Sequence, residues 1–375
     1  MSIFEIKKSD LSLPEGRRDP VAVAYGKAII IWGGDNNEEE DVSTSHVDYH
    51  VSGKWTRIVT TGESPPSSSG IVNQVQVVNG KMMVLDADRC CHSIIYSLDL
   101  KMWMWERFIP SGIQPPKSTF MSSFLYDEKI YFFGGKTKLT EDPVNGSIHG
   151  HLFCYNIETN AWEWPNVEGE IPSPRNCHLT IISGDTAFLF GGSGEMWLND
   201  LYTLDMPSMR WRKVHDNHHE QGEAPNGRDP LMYTLTIISE DTAVLFGGDD
   251  TDEDNSWLLD LHNAKHEKDP SSVWTRIPNH FSMQQYSGYA AVLEPVSQTL
   301  WVLGGQFHGN RILKMSYKLA SLKDLAMDKI ARINFRLLPG QIPTQLRNEI
   351  ATYKDKNGEV LLCSREGGCT DCQPE

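Results

Sequence analysis

The sequence predicts an all-β protein, a six-bladed β-propeller followed by a short C-terminal α-helical segment. Three observations carry this. An apolar run closing on paired glycines recurs as Ile29-Ile30-Ile31-Trp32-Gly33-Gly34, Tyr131-Phe132-Phe133-Gly134-Gly135, Phe188-Leu189-Phe190-Gly191-Gly192, Val244-Leu245-Phe246-Gly247-Gly248 and Trp301-Val302-Leu303-Gly304-Gly305. The last three intervals are 57, 56 and 57 residues, and the first, of 101, leaves room for one more copy. Met82-Met83-Val84-Leu85-Asp86-Ala87 fills that gap, with Asp86-Ala87 where the glycines would stand. After Tyr317 the apolar spacing changes from that of strands to that of a helix. A long constant period marks stacked supersecondary units, and four strands in each of six units make a propeller.

Within a unit the elements follow in a fixed order. Each opens on a proline-rich turn, as in Ser64-Pro65-Pro66, Gln114-Pro115-Pro116, Pro172-Ser173-Pro174-Arg175 and Ala224-Pro225-Asn226-Gly227-Arg228. A first strand such as His178–Ile182 comes next, then a tight turn such as Tyr25-Gly26, Asn79-Gly80 or Ser183-Gly184-Asp185. Glycine and asparagine there supply the positive φ that short hairpins require. The second strand is apolar on both faces, which places it between neighbouring sheets. Its terminal glycines let the backbone bend and pass close to other segments. A third strand such as Asn199–Leu204 is followed by a tryptophan marking the fourth: Trp55, Trp105, Trp164, Trp211 and Trp274. These rings are expected to wedge between blades. The sixth repeat has no such tryptophan strand, and an unpaired edge invites a partner. Ile3-Phe4-Glu5-Ile6 is the expected donor of that strand.

In the tail, Leu319, Leu322, Ala326, Ile330 and Ile333 share one helical face, with Ser321 and Asp324 as an N-terminal cap. Leu338-Pro339-Gly340 turns the chain, and Pro343 suits the first position of a second helix presenting Leu346, Ile350 and Tyr353. The expected organisation is a propeller over 1–318, a helical box over 319–356 and a tail over 357–375.

Composition narrows the function. The net charge of −16 lies within residues 1–319 and argues against binding a nucleic-acid backbone. Acid runs at Glu38-Glu39-Glu40-Asp41 and Asp249-Asp250-Thr251-Asp252-Glu253-Asp254 read as solvated loops. No apolar run reaches the length of a membrane span and the first residues lack a secretion signal. Seven cysteines, with Cys90 and Cys91 adjacent, do not form a disulfide framework, so a reducing cytoplasm or nucleus is expected. Cys363, Cys369 and Cys372 are three thiols, one short of the usual structural zinc set, and no metal or other cofactor is expected.

The paired glycines with their spaced tyrosine and tryptophan resemble kelch repeats over roughly residues 15–318. Beyond them, Ser321-Leu322-x-x-x-Ala326-x-x-x-Ile330 resembles the elongin C-binding box, with alanine where cysteine is commoner. Ile342-Pro343-x-x-Leu346-x-x-x-Ile350 is similar to the cullin-2 box, whereas Leu338-Pro339-Gly340-Gln341 does not fit the cullin-5 form. Both boxes in order after a propeller resemble the kelch substrate receptors of cullin-2 ubiquitin ligases. That resemblance implies Leu322, Ala326 and Ile330 on elongin C of the elongin B/C pair. It implies Ile342, Pro343, Leu346 and Ile350 on cullin-2 with its RING subunit. A protein degron would then bind the loop face. Ubiquitin transfer would reside in other subunits, so no catalytic residue is expected.

Receptors of this group grip a diglycine C-terminus with basic loop residues. In this chain the matching positions are Ser193, Trp197, Pro143 and the Asp229-Pro230 pair after Arg228. The carboxylate's cationic partners are gone and an acid is added, which reverses the electrostatics. Substrate contacts are expected at Ser193, Trp197, Arg228 and Asp229, for a basic or neutral peptide. A copper oxidase of the kelch-like kind would need a Tyr/His site. A nitrile-forming relative would need Glu-x-x-x-Asp-x-x-x-His, and His46 after Glu38-Glu39-Glu40-Asp41 has the wrong spacing. The alternative is a kelch scaffold for cytoskeletal or trafficking partners, with the tail helices as a cap.

Overall fold

The computed structural model describes residues 2–6, 14, 17, 19–34, 43–66, 75–86, 94–137, 146–216, 224–225, 233–247, 255–266, 270–278, 289–294, 296, 298–304 and 312–316. The chain divides into Ile3–Met315 and a unit of Met1–Ser2 with Ser316–Glu375. The architecture below is that of the first unit.

Strand β1 (Ser2–Ile6) precedes five blades. Blade one is β2 (Val21–Tyr25), β3 (Ala28–Trp32), β4 (His46–Val51) and β5 (Lys54–Val59). The short β6 (Thr61–Gly62) leads to blade two, β7 (Val75–Val78), β8 (Lys81–Asp86), β9 (Ile94–Asp99) and β10 (Met104–Phe108). Blade three follows β11 (Ser118–Thr119) and contains β12 (Ser122–Tyr126), β13 (Lys129–Phe133), β15 (Leu152–Asn156) and β16 (Ala161–Glu163). Its loop strand β14 (Lys136–Thr137) pairs with β11. After β17 (Glu168–Gly169), blade four is β18 (Leu179–Ser183), β19 (Thr186–Ser193), β20 (Trp197–Asp205) and β21 (Arg210–His215). Blade five is β22 (Tyr233–Ser239), β23 (Thr242–Gly247), β24 (Asn255–Asp260) and β25 (Trp274–Pro278), with helices α1 (Leu261–His266) and α2 (Pro270–Val273) between its last two strands.

The remaining sheet joins residues 2–6 to residues 289–316. Strands β26 (Tyr289–Glu294), β27 (Thr299–Gly304) and β28 (Ile312–Ser316) are completed by β1 in the order β1-β28-β27-β26. The expectation of a six-bladed propeller followed by a helical box is therefore corrected: the described residues form an all-β propeller of five blades with no substantial C-terminal helix among them. Five blades are complete within continuous stretches of chain, and the last sheet has only three strands of its own. Its repeat lacks the tryptophan strand, so its edge is filled from residues 2–6. The only helices among the described residues are α1 and α2, both short and both inside blade five. No described helix is long and apolar enough to cross a membrane. The box expected over 319–356, with Leu322, Ala326, Ile330, Ile342, Pro343, Leu346 and Ile350, lies outside the described residues, as does the 357–375 tail.

Packing follows from the second strands. All five side chains of β3 are buried, as are Phe188, Leu189 and Phe190 of β19. A tryptophan from the fourth strand of each blade wedges against its neighbour. Trp105 lies 5.4 Å from Trp32, Trp211 lies 5.5 Å from Phe133, and Trp274 lies 5.1 Å from Phe190. Trp55 meets Trp301 at 6.0 Å, which joins blade one to the last sheet. In blade three this role belongs to Trp162, which is buried within β16, whereas Trp164 follows the strand and is 39% exposed. The expectation for Trp164 is thus corrected by two residues. Indoles two apart share a strand face, but only the first reaches the core between blades.

The linkers clasp neighbouring blades. β6, leaving blade one, pairs in parallel with β10 of blade two, and β17, leaving blade three, pairs in parallel with β21 of blade four. Gly62 and Gly169 have positive φ, and a methyl on either would overlap the carbonyl oxygen of Trp105 or Trp211.

Candidate functional site

The loops after the second strands and the segments before the first strands emerge together, and rigid sheets position them for binding. In blade four this mouth is built around Arg175. Its side chain is fully buried: Nη1 donates to Gly191 O at 3.0 Å and Asp200 Oδ1 at 2.6 Å, and Nη2 donates to Asp200 Oδ2 at 3.0 Å. Nε donates to Ser173 O and Nη2 to Ser173 Oγ, both at 3.0 Å. Blade one repeats the device, since Arg17 donates to Gly33 O at 3.2 Å and pairs with Asp48. The arginine after the proline turn therefore ties the paired glycines to the third strand. Arg228, which follows the corresponding turn of blade five, lies outside the described residues, as do Asp229 and Pro143.

Ser193 and Trp197, expected to contact substrate, are brought together. They face each other across the β19–β20 hairpin, and Gly194 N–H donates to Met196 O at 3.0 Å inside it. Ser193 N–H and Asn176 N–H each donate to the other's carbonyl, at 2.8 and 2.9 Å. The tip leaves Met196 61% and Trp197 51% exposed, next to an exposed Glu195.

Sequence reasoning missed the neighbouring apolar surface. Trp164 Nε1 donates to Ile113 O at 2.9 Å, and its ring lies 5.7 Å from both His151 and Phe153. Gly150 and Gly194 both approach Pro174, closely enough that an added Cβ would stand 3.3 and 2.9 Å from its backbone. Blades three and four thus share a mouth carrying exposed Ile113, Trp164, Ile171, Met196 and Trp197. The Trp162-x-Trp164 spacing was the available signal, since a blade needs only one wedge.

Two histidines lie beneath. Ser118, at the position that Arg175 holds in blade four, has its Oγ 2.8 Å from His149 Nε2, and His149 Nδ1 accepts from His151 N–H at 3.4 Å. The proton therefore sits on Nε2 and is donated to Ser118, the reverse of what activating a serine nucleophile requires. Burial first, and then His151, lowers the His149 pKa to about 4. His178 is fully buried between Phe133 and the glycines of blades three and four, and burial and Arg175 hold it neutral. No group of three His, Cys, Asp or Glu side chains among the described residues is placed to hold a metal ion. The mouth offers apolar area and backbone polarity. Its one buried cation in blade four, Arg175, is already bonded.

A family model described as the KLHDC2/KLHL20/DRC7 Kelch-repeats domain matches residues 21–248. Kelch domain-containing protein 2 of Bos taurus is 27% identical over 377 residues, covering 86% of this chain and 86% of that protein. Kelch domain-containing protein 1 of Mus musculus is 27% identical over 66% of this chain and 67% of its own length. Host cell factor 2 of Homo sapiens is 28% identical over 63% of this chain and 31% of its own. The chain belongs to this kelch-repeat family, whose propellers are non-catalytic scaffolds for protein interaction.

Proposed function

We propose that this kelch-family protein is the substrate-recognition subunit of an elongin B/C–cullin-2 ubiquitin ligase of the cytoplasm or nucleus. The observation that carries the reading is the ordered pair of motifs after the propeller, Leu322-x-x-x-Ala326-x-x-x-Ile330 and Ile342-Pro343-x-x-Leu346-x-x-x-Ile350. Leu322 enters an apolar pocket of elongin C in this reading. A buried leucine contributes about 2–3 kcal/mol, enough to dominate a small interface. Cullin-2 with its RING subunit docks on the second motif, and the propeller mouth holds the degron.

Ser193 and Trp197 support a ligand other than a free C-terminal carboxylate. The hairpin from Ser193 to Trp197 that brings them together contains no Lys or Arg, and its Glu195 adds negative charge. A neutral or basic peptide segment with apolar side chains suits the exposed Met196, Trp197 and Trp164.

The test is a pull-down of the full chain and its Leu322→Ser variant. Elongin C recovered with the parent and lost with the variant supports the receptor. No elongin C in either leaves a scaffold for cytoskeletal or trafficking partners. A mouth-bound substrate that is acidic, or that ends in a free diglycine, overturns the ligand assignment.

A further inference from the structure

Blade five departs from its neighbours in one connection. The third and fourth strands of the first four blades are joined by two to four residues, whereas residues 261–273 separate β24 from β25. The insertion is well anchored. Leu261, Ala264 and Val273 are buried in the core cluster that also holds Phe188 and Trp274. A loop serving only as a connection needs no such anchoring.

The insertion forms one wall of a cleft of about 430 Å³, whose other wall is a polar part of blade four. The register sets Thr203 opposite Arg212, and Asp205 opposite both Arg210 and Thr186. Alternate residues share a strand face, so all five line the cleft. Lys265 and His266 project from the last turn of α1 on the far side.

The acids lining this cleft are already engaged. Asp205 accepts from Ser208 N–H at 3.0 Å and from Ser208 Oγ, and Glu170 accepts from Lys213 N–H at 3.1 Å. Arg212 donates to Ala264 O and so ties the insertion to blade four. Among the described residues Arg210 makes only a 3.3 Å pair with Glu168, at side-chain exposures of 63% and 67%, the kind of contact an incoming carboxylate displaces easily. Lys265 Nζ lies 6.0 Å from the Phe188 ring centroid and makes no ion pair among the described residues.

We propose that this cleft between blades four and five is a second binding site, separate from the mouth, for an extended acidic peptide. Arg210 and Arg212 are two residues apart on β21, which spaces them by about 7 Å along the strand. Carboxylates at alternate positions of an extended peptide have the same spacing. A Glu-x-Glu segment therefore matches the arginine pair, and Lys265 extends the cationic row from the opposite wall. On a chain of net charge −16, such a cleft selects acidic ligands that the rest of the surface repels.

The test is fluorescence anisotropy with an amidated, labelled Gly-Glu-Ser-Glu-Ser-Glu-Gly peptide, which lacks a free C-terminus. The full chain should bind it and lose affinity as salt is raised. Lys265→Glu should weaken binding at least fivefold and Arg210→Glu at least fivefold. Both substitutions lie on the surface, and unchanged melting curves establish that the fold is intact. Trp197→Ala should bind the peptide as the parent does. No binding by the parent, tighter binding of a Lys-x-Lys peptide, or unaltered affinity in both charge variants overturns the assignment. Loss of binding in Trp197→Ala would move the peptide to the mouth and overturn it equally.

Discussion

Replacing Arg175 with methionine keeps much of the side-chain volume and removes five hydrogen bonds from a group with no exposure. It strands the Asp200 carboxylate, whose side chain is only 7% exposed. Breaking a buried ion pair from one side costs about 3–5 kcal/mol, because the remaining charge stays desolvated. Unfolding entropy of about 2.1 cal/mol/K per residue gives roughly 0.6 kcal/mol/K over about 300 residues. The expected fall in Tm is therefore about 5–8 °C, read by differential scanning calorimetry or circular dichroism.

Asp200→Leu in the same chain separates the causes. Replacing a buried pair by apolar residues is often close to neutral. The double variant should thus recover at least about 2 kcal/mol relative to Arg175→Met, leaving the loss at the Gly191 and Ser173 carbonyls at about 1 kcal/mol each. A double variant no more stable than Arg175→Met would refute the stranded charge as the source. A single variant that melts with the parent would refute the strut itself, and Arg17 with Asp48 would fall under the same doubt.

Three further outcomes are expected. Gly169→Ala should destabilise by more than about 2 kcal/mol and Gly26→Ala by about 1 kcal/mol, because both need positive φ but only Gly169 faces a carbonyl at the methyl position; equal losses in denaturant melts would contradict this. His149 has its pKa lowered in the fold, so the unfolded chain takes up a proton first as pH falls. Its contribution is complete above about pH 6.5 and is lost towards pH 4, up to about 3 kcal/mol. His178 acts in the same direction, and His149→Gln should flatten the Tm profile between pH 6.5 and 4. Deleting residues 1–10 removes β1 and exposes the β28 edge, so Tm should fall markedly; an unchanged melt would mean that the closing strand carries no weight.

The repeat was legible because it rests on local chemistry. Paired glycines, short positive-φ turns and strands apolar on both faces are visible as letters, and Asn79-Gly80 has φ values of 50° and 76°, as such a turn requires. Which tryptophan wedges was not legible, because Trp162 and Trp164 have the same parity and only the length of β16 separates them. The clasping glycines were written in the sequence as Thr61-Gly62, Ser111-Gly112 and Glu168-Gly169 ahead of the proline turns. Their reason, a carbonyl of the next blade or sheet edge at the methyl position, exists only in three dimensions. The apolar mouth and the basic cleft escaped for the same reason, since each gathers residues from distant segments.

The two surfaces differ in how the repeat permits them. At the mouth, the buried Arg175–Asp200 strut holds the start of β18 and the glycines of β19 whatever the hairpin tip carries, so Ser193, Met196 and Trp197 are free to vary in chemistry without loss of the sheet. In blade three, Ser118 and His149 take that structural place with a single hydrogen bond at 2.8 Å. The basic cleft has no such freedom on its inner side, because Arg212 both lines it and fastens α1 through Ala264. Variation that retunes recognition with little cost in stability is accordingly expected at Ser193, Met196, Trp197 and Lys265, whereas change at Arg175 or Arg212 disturbs the fold first.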